Sequence, residues 1–244
     1  MSNWFASWFD TEYYHQLYKD RDESEAELFI EKILIYLNLP KHAKILDIAC
    51  GKGRHAKAIA DHNYEVVGID LSENSIEEAN KIQSKHLSFL VQDMREPFRE
   101  NEFDAAFNFF TSFGYFATKE DDHRAAFSMT ACLKTGGYLL IDFVNKAHAL
   151  ANIEAKRHEV QERGLLRFAI ERKFETGRYI KDIHVTDGDN VFHFQESLQS
   201  LTLPDFESFF LPLGMHLKNV FGNYDLDSYD ENESPRLILL FQKG

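Results

Sequence analysis

The sequence predicts an α/β fold in which a mostly parallel sheet carries helices on both faces. Three observations predict it. Between Ile45 and Val144 short apolar runs alternate with stretches of helical period. A Gly-x-Gly turn joins the first strand of that series to its first helix. From about Ile153 the pattern changes to two-residue alternation.

Residues up to about Asp22 are aromatic and polar without a clean period. Glu25–Leu39 then reads as an amphipathic helix, with Phe29, Ile33, Leu34 and Leu37 on one side and Pro40 ending it. Ile45–Ala49 is a strand and Arg54–Asp61 a helix; Glu65–Asp70 and Asn74–Lys85 repeat the unit. Leu87–Val91 and Asp104–Phe110 are further strands, and Asp121–Cys132 is helical. Leu133–Gly137 carries a Gly-Gly turn before the strand Tyr138–Val144. In Ile153–Leu203, Arg167-Phe-Ala-Ile-Glu-Arg-Lys-Phe174 and Tyr179-Ile-Lys-Asp-Ile-His-Val185 alternate, and Asp187-Gly-Asp-Asn190 signals a turn before Val191-Phe-His-Phe194. They predict an antiparallel hairpin or three-stranded insertion, too short for an independent domain. Pro204–Leu213 is a helix with Gly214 just past its end. Two strands close the chain, His216–Phe221 and Arg236–Phe241, with an acidic loop between them.

A chain of 244 residues suffices for one well-buried α/β domain. Its 27 Lys and Arg stand against 40 Asp and Glu, a net charge of −13. Nucleic acids and anionic membranes select clustered cations, so small molecules are the expected partners. No apolar run approaches a membrane span, and the start lacks the pattern of a signal peptide. Cys50 and Cys132 have no pairing or metal spacing, which fits a reducing cytoplasm. The histidines show no ligand pairs at helical spacing, so no metal site is expected.

Lys44-Ile-Leu-Asp-Ile-Ala-Cys-Gly-Lys-Gly-Arg54 is strand, turn, then helix. Gly51 and Gly53 let the backbone turn sharply and pass close to a ligand, beside the free N–H donors of a helix start. Gly51-x-Gly53-x-x-Ala56 also satisfies the dinucleotide pattern, with Asp70 near its ribose position. Asp47 separates the two readings. A carboxylate just before the turn repels a pyrophosphate but attracts the ammonium and sulfonium of S-adenosylmethionine. Alternatively it only caps the turn. Asp70 and Leu71 end the second strand, where Asp70 can accept both ribose hydroxyls or cap the next helix, a role Ser72 can also fill. Asp93 and Met94 follow the third strand, where the acid can accept the adenine amino group and Met94 can pack on the ring; a solvated loop acid is the alternative. Asn108-Phe-Phe-Thr-Ser-Phe-Gly-Tyr-Phe116 ends the fourth strand at the ligand-binding edge. Phe107 and Phe109 read as packing, and Asn108, Tyr115 and Phe116 as site candidates.

These residues resemble the class I, Rossmann-like S-adenosylmethionine-dependent methyltransferases. The bacterial branch with an Asp-x-x-Cys-Gly-x-Gly-Arg-His first motif and an antiparallel insertion after the fifth strand is the most similar. The resemblance runs from Lys44 to Gly244, through Leu133-Lys-Thr-Gly-Gly-Tyr-Leu-Leu-Ile-Asp142 and Ser234-Pro-Arg-Leu-Ile-Leu-Leu240. It implies a seven-stranded, mostly parallel sheet with an antiparallel last strand and a small antiparallel β insertion. It also implies one domain: a lid and helix (1–40), a cofactor-binding core (41–150), the insertion (151–203) and a closing part (204–244). S-adenosylmethionine is the implied cofactor, bound by Asp47, Ala49, Cys50, Gly51, Gly53, Asp70, Leu71, Asp93, Met94 and Asn108. Ala49 departs from the glycine usual there. Asn108-Phe109-Phe110-Thr111 is not the Asn/Asp-Pro-Pro-Tyr of enzymes that methylate adenine or glutamine amides.

Methyl transfer from a sulfonium needs alignment and exclusion of water more than a dedicated base, and none stands out. His55 follows the turn and either reaches a pocket or packs at the helix start. His123, His184 and His193 read as solvated. Asp142 ends the fifth strand, facing the pocket or capping. Tyr14 and Tyr18 share one helix face; in the family resembled such a leading segment folds over the methionine end of the cofactor, so with Tyr13 and Arg21 they form either that lid, with Tyr14 and Tyr18 binding the cofactor, or an aromatic staple. The insertion either caps the acceptor pocket or forms a dimer surface. The expected enzyme methylates a small molecule as a monomer or homodimer. The alternatives are an NAD(P)-dependent oxidoreductase and a non-catalytic S-adenosylmethionine-binding protein.

Overall fold

The alternation that follows Ile45 folds as expected into strands joined by helices. The computed structural model describes residues 4–19 and 23–244. Helices α1 (Trp4–Phe9), α2 (Glu12–Leu17) and α3 (Glu23–Leu37) lead into β1 (Lys44–Ile48), α4 (Arg54–Asp61), β2 (Glu65–Asp70) and α5 (Glu73–Ala79). Then come β3 (Leu87–Val91), β4 (Phe103–Asn108), α6 (Lys119–Ala131), β5 (Leu133–Val144) and α7 (Lys146–Ala155). Strands β6 (His158–Arg163), β7 (Leu166–Glu175), β8 (Arg178–Asp187) and β9 (Asn190–Gln199) precede α8 (Leu203–Phe210), β10 (Met215–Phe221) and β11 (Arg236–Lys243).

The central sheet has the order β10-β11-β5-β4-β1-β2-β3. β1 to β5 pair in parallel, and β11 runs antiparallel to both β5 and β10. Strand β1 is buried on both faces, as the middle of a parallel sheet demands. Its Leu46 and Ile48 pack toward α6 and α8 with Phe113, Met129, Phe206 and Phe210, while Ile45 packs toward α3 and α4 with Phe29, Ile33 and Ile59. Each fully buried Phe or Leu contributes about 1.5–3 kcal/mol. The side chains of Ser72 and Thr118 cap α5 and α6, and the acids of the first turn of α6 meet its positive end. The topology reverses between β1 and β4, the place where open α/β sheets bind ligands.

Differences from the expected elements have local causes. The insertion is a four-stranded antiparallel sheet, β6-β7-β8-β9, not a hairpin or three strands. Its extra strand, His158-Glu-Val-Gln-Glu-Arg163, lies at an edge with no buried residue and so carries no apolar alternation. Helix α7 has no buried residue either, which leaves it without an amphipathic signal. Strand β4 stops at Asn108 rather than Phe110, because Phe110 and Thr111 take the left-handed conformation, at φ 55° and 62°. The aperiodic start forms two short helices, α2 capped by Thr11. Trp8 and Leu17 of these helices are buried against Phe168, Ile170, Ile183 and Val185 of the insertion. Among the described residues no helix is long and apolar enough to cross a membrane.

Candidate functional site

The turn after β1 is set by three left-handed residues, Ala49 (φ 60°), Gly51 (54°) and Gly53 (82°). Gly53 has a packing reason as well: a Cβ there would lie 2.5 Å from the Phe89 ring. Gly51 instead faces open space and donates its amide to Asp70 Oδ2 at 2.8 Å. Asp70 Oδ1 accepts from the Ser72 amide at 2.9 Å, so two backbone donors fix this carboxylate at the end of β2. Burial raises the Asp70 carboxyl, and the amides of Ser72, Gly51 and Leu71 pull it back. Ser72 Oγ caps α5 in its place, accepting from Ser75 N at 3.0 Å.

A cavity of about 430 Å³ opens above this turn. Ala49, Cys50, Gly51, Asp70, Leu71, Asp93 and Met94 line it, as do Tyr14 and Tyr18 from the opposite side. His55, Tyr115 and Phe116 also reach it. Three expected site residues do not. Gly53 is buried behind the turn. Asn108 is fully buried, its amide nitrogen donating to the Ile48 carbonyl at 3.0 Å and tying β4 to β1. Asp47 is 1% exposed, and burial, then the nearby Asp70 charge, push its carboxyl up to about 7, against the Ala56 amide and Arg54. Asp47 Oδ2 and Asn108 Oδ1 are buried acceptors with no donor among the described residues.

Asp93 is more committed than a free adenine reader. Arg95 grips both its oxygens, through Nη2 at 2.6 Å and Nε at 3.1 Å, and the Arg95 amide adds a bond of 2.9 Å. Burial raises this carboxyl, but Arg95 outweighs it and holds the group below its ordinary range. Asp142 does not line the cavity: it is fully buried and caps the backbone at Phe110, whose amide donates to it at 2.8 Å. His123, His184 and His193 are exposed, the last two stacked across β8 and β9. Among the described residues no cluster of three or more metal-ligating side chains occurs.

The N-terminal helices bridge the core and the insertion. Asp10 accepts from Ser72 Oγ and from Asn74 Nδ2 (2.8 Å) at the start of α5. At the other end, Glu196 of β9 accepts from Trp8 Nε1 at 2.9 Å and Tyr18 Oη at 2.7 Å, and Tyr13 donates to Asp187 at 3.0 Å. Tyr14 packs tilted against Tyr18, with ring centroids 4.9 Å apart and planes 57° apart, and both rings line the cavity. Arg21 lies outside the described residues. Sequence reasoning missed Phe5, Phe9 and His15 of this segment, which line the cavity too. His15 Nε2 is buried with no hydrogen-bond partner among the described residues, and burial, then Lys52, lowers the imidazole pKa. Phe109, Phe110, Thr111 and Ser112 complete the wall. Among the described residues the insertion contributes no lining residue; it supports the wall from behind. There the Arg178 guanidinium donates to the Phe116 carbonyl at 3.2 Å.

Comparison with known proteins agrees with this geometry. A family model described as "Methyltransferase domain" matches residues 45–137. The chain is 30% identical to "Putative methyltransferase YqeM" of Bacillus subtilis over 220 residues, covering 86% of this chain and 88% of that protein. It is 28% identical over 109 residues to a dTDP-3-amino-3,4,6-trideoxy-alpha-D-glucopyranose N,N-dimethyltransferase of Streptomyces venezuelae, covering 45% and 46% of the two chains. Among solved structures, an S-adenosylmethionine-dependent methyltransferase from Clostridium acetobutylicum superposes with a TM-score of 0.79 at 20% identity, covering 95% and 96%. Streptomyces venezuelae DesVI does so at 0.67 and 21%, covering 95% and 97%. The carboxyl-edge cavity, the glycine turn and these likenesses have one reading: the chain belongs to the class I S-adenosylmethionine-dependent methyltransferases.

Proposed function

We propose that the chain methylates a small molecule within this cavity, with the cofactor's adenosine along the ends of β2 and β3 and its methionine part over the glycine turn. The observation that carries the reading is the acidic pair at that turn: Asp70 lines the cavity at the end of β2, and Asp47 lies buried close behind it. Two carboxylates at the turn favour a cationic ligand over a pyrophosphate there, while Lys19, Lys52 and Arg54 border the cavity elsewhere. The volume fits a small acceptor, since such cavities usually span about 300–1,000 Å³, and the net charge of −13 disfavours nucleic acid.

When bound, S-adenosylmethionine supplies a methyl group already activated by its sulfonium. The protein's part is alignment and exclusion of water. Asp70, preset by the Gly51 and Ser72 amides, keeps lone pairs for ribose hydroxyls. Met94 packs on the adenine, and Asp93 accepts its amino group with the capacity Arg95 leaves. Ala49, Cys50 and Gly51 present backbone groups to the methionine end. The Tyr18 hydroxyl is spent on Glu196, so Tyr18 offers its ring face, a favourable neighbour for a sulfonium. Tyr14 closes the same side, and Phe109, Phe110, Tyr115 and Phe116 keep water from the acceptor.

Calorimetry with S-adenosylhomocysteine and with NADH tests the reading. Binding of the first and not the second is expected; the reverse overturns it. A metabolite screen for methyl transfer then reads the acceptor, and cofactor binding without turnover on any small molecule contradicts the proposed class.

A further inference from the structure

We infer that Asp142 is a positioning residue that holds the cavity wall at Phe110 and Thr111 in its strained conformation. That these residues face the methyl-transfer cavity rests on the proposed function. The hold itself rests on geometry. Phe110 and Thr111 are consecutive non-glycine residues at φ 55° and 62°, where each side chain crowds its own backbone. Such a pair persists only where its surroundings over-determine it.

Asp142, fully buried at the end of β5, does so from both directions. Its Oδ2 accepts from the Phe110 amide at 2.8 Å, and its own carbonyl accepts from the Thr111 amide at 2.8 Å. The carboxylate is fixed in turn by the Tyr224 hydroxyl at 3.0 Å and by Arg236 Nε at 2.7 Å. Arg236 Nη2 continues to Thr111 Oγ1 at 3.0 Å, closing a ring of bonds around the strained peptide. What this fixes is the Phe110 ring. It stacks on His55 with centroids 5.0 Å apart and planes 29° apart, with Arg54 5.0 Å from its centroid. His55 touches Phe109 on another side at 4.8 Å. Asp142 therefore sets, from outside the cavity, where Phe110 and His55 stand inside it.

The test is Asp142→Asn in the full chain, with two readouts. The first is the NMR position of the His55 ring protons, assigned with His55→Gln, which the stacked Phe110 moves upfield. The second is affinity for S-adenosylhomocysteine. The inference expects the His55 signals to move toward those of exposed His123, and affinity to fall about tenfold, as a displaced wall costs alignment. A folded variant that leaves either readout at its wild-type value overturns it. Where Asp142→Asn does not fold, Tyr224→Phe removes a single donor to the same carboxylate. It is expected to shift both readouts in the same direction by less, and no shift overturns the inference. Thr111→Gly tells strain from general support. Glycine adopts this φ freely, so Asp142→Asn should lower the melting temperature less in that background than in the wild type; equal losses overturn the strain argument. Should the wild-type chain bind no S-adenosylhomocysteine, the cofactor reading fails and the His55 resonance alone decides the positioning role.

Discussion

Lowering the pH from about 8 to about 6 should weaken S-adenosylmethionine binding about tenfold, with Asp47 as the responsible group. Asp47 is 1% exposed, one of its oxygens has no donor among the described residues, and its carboxyl is pushed up to about 7 by burial and then by Asp70. The cationic methionine end favours the ionised form, so binding below that value must first remove a proton. At about pH 6 the neutral form outnumbers the ionised one about ten to one, and that ionisation costs the tenfold in affinity. By about pH 8 that cost has vanished. Calorimetry in two buffers of different ionisation enthalpy should then show close to one proton released per cofactor at the lower pH. Asp47→Asn should flatten the pH profile and bind more weakly at the higher pH. Stability runs the other way. The folded chain retains a proton that the unfolded chain has lost, so unliganded stability falls as pH rises from the ordinary carboxylate range, 3.8, to about 7. The full effect is about 4 kcal/mol as an order of magnitude, and Asp47→Asn should remove that slope. A wild-type affinity that stays constant across this range, with no proton released, refutes the reasoning.

The remaining predictions concern the turn and the N-terminal bridge. Asp70→Ala removes the acceptor for the Gly51 and Ser72 amides as well as for the ribose, and should weaken S-adenosylhomocysteine binding about a hundredfold by calorimetry. Ala49→Gly relieves a left-handed alanine at φ 60° and should hold or raise stability by up to about 1 kcal/mol in thermal melts, with affinity unchanged. Glu196→Ala strands the Trp8 and Tyr18 donors, a cost of about 1–3 kcal/mol. Hydrogen exchange should therefore speed up in residues 4–19 while the sheet exchanges at its wild-type rate.

Much of this architecture can be read from the chain because its signals are local. Strands such as Ile45–Ile48 are buried on both faces, and the helices between them are capped by nearby residues. Asp70 is readable as a cavity residue because strand end and glycine turn are neighbours in any such unit. Asp47 was readable as a charge but not as a buried one, since its depth depends on packing by distant helices. Asp93 looked free because its partner Arg95 carries no sequence mark of pairing. Phe5, Phe9 and His15 have no helical period to announce them; they are placed by Glu196 and Asp10, whose bonds to Trp8, Tyr18 and Ser72 span 62 to 188 residues. The departure at Ala49 resolves simply: the position does take a glycine-like φ, and alanine tolerates it. Strand β6 and helix α7 bury no residue, and periodicity reports only burial.

In the proposed function one cavity, floored by the turn that follows β1 and lined by the N-terminal helices, holds S-adenosylmethionine for transfer of its methyl group to a small molecule. A crystal structure with S-adenosylhomocysteine tests it most directly. The account predicts ribose hydroxyls on Asp70, adenine against Met94, and the sulfur facing the wall formed by Phe110 and Tyr115. A ligand seated elsewhere, or a ribose that does not touch Asp70, would contradict it.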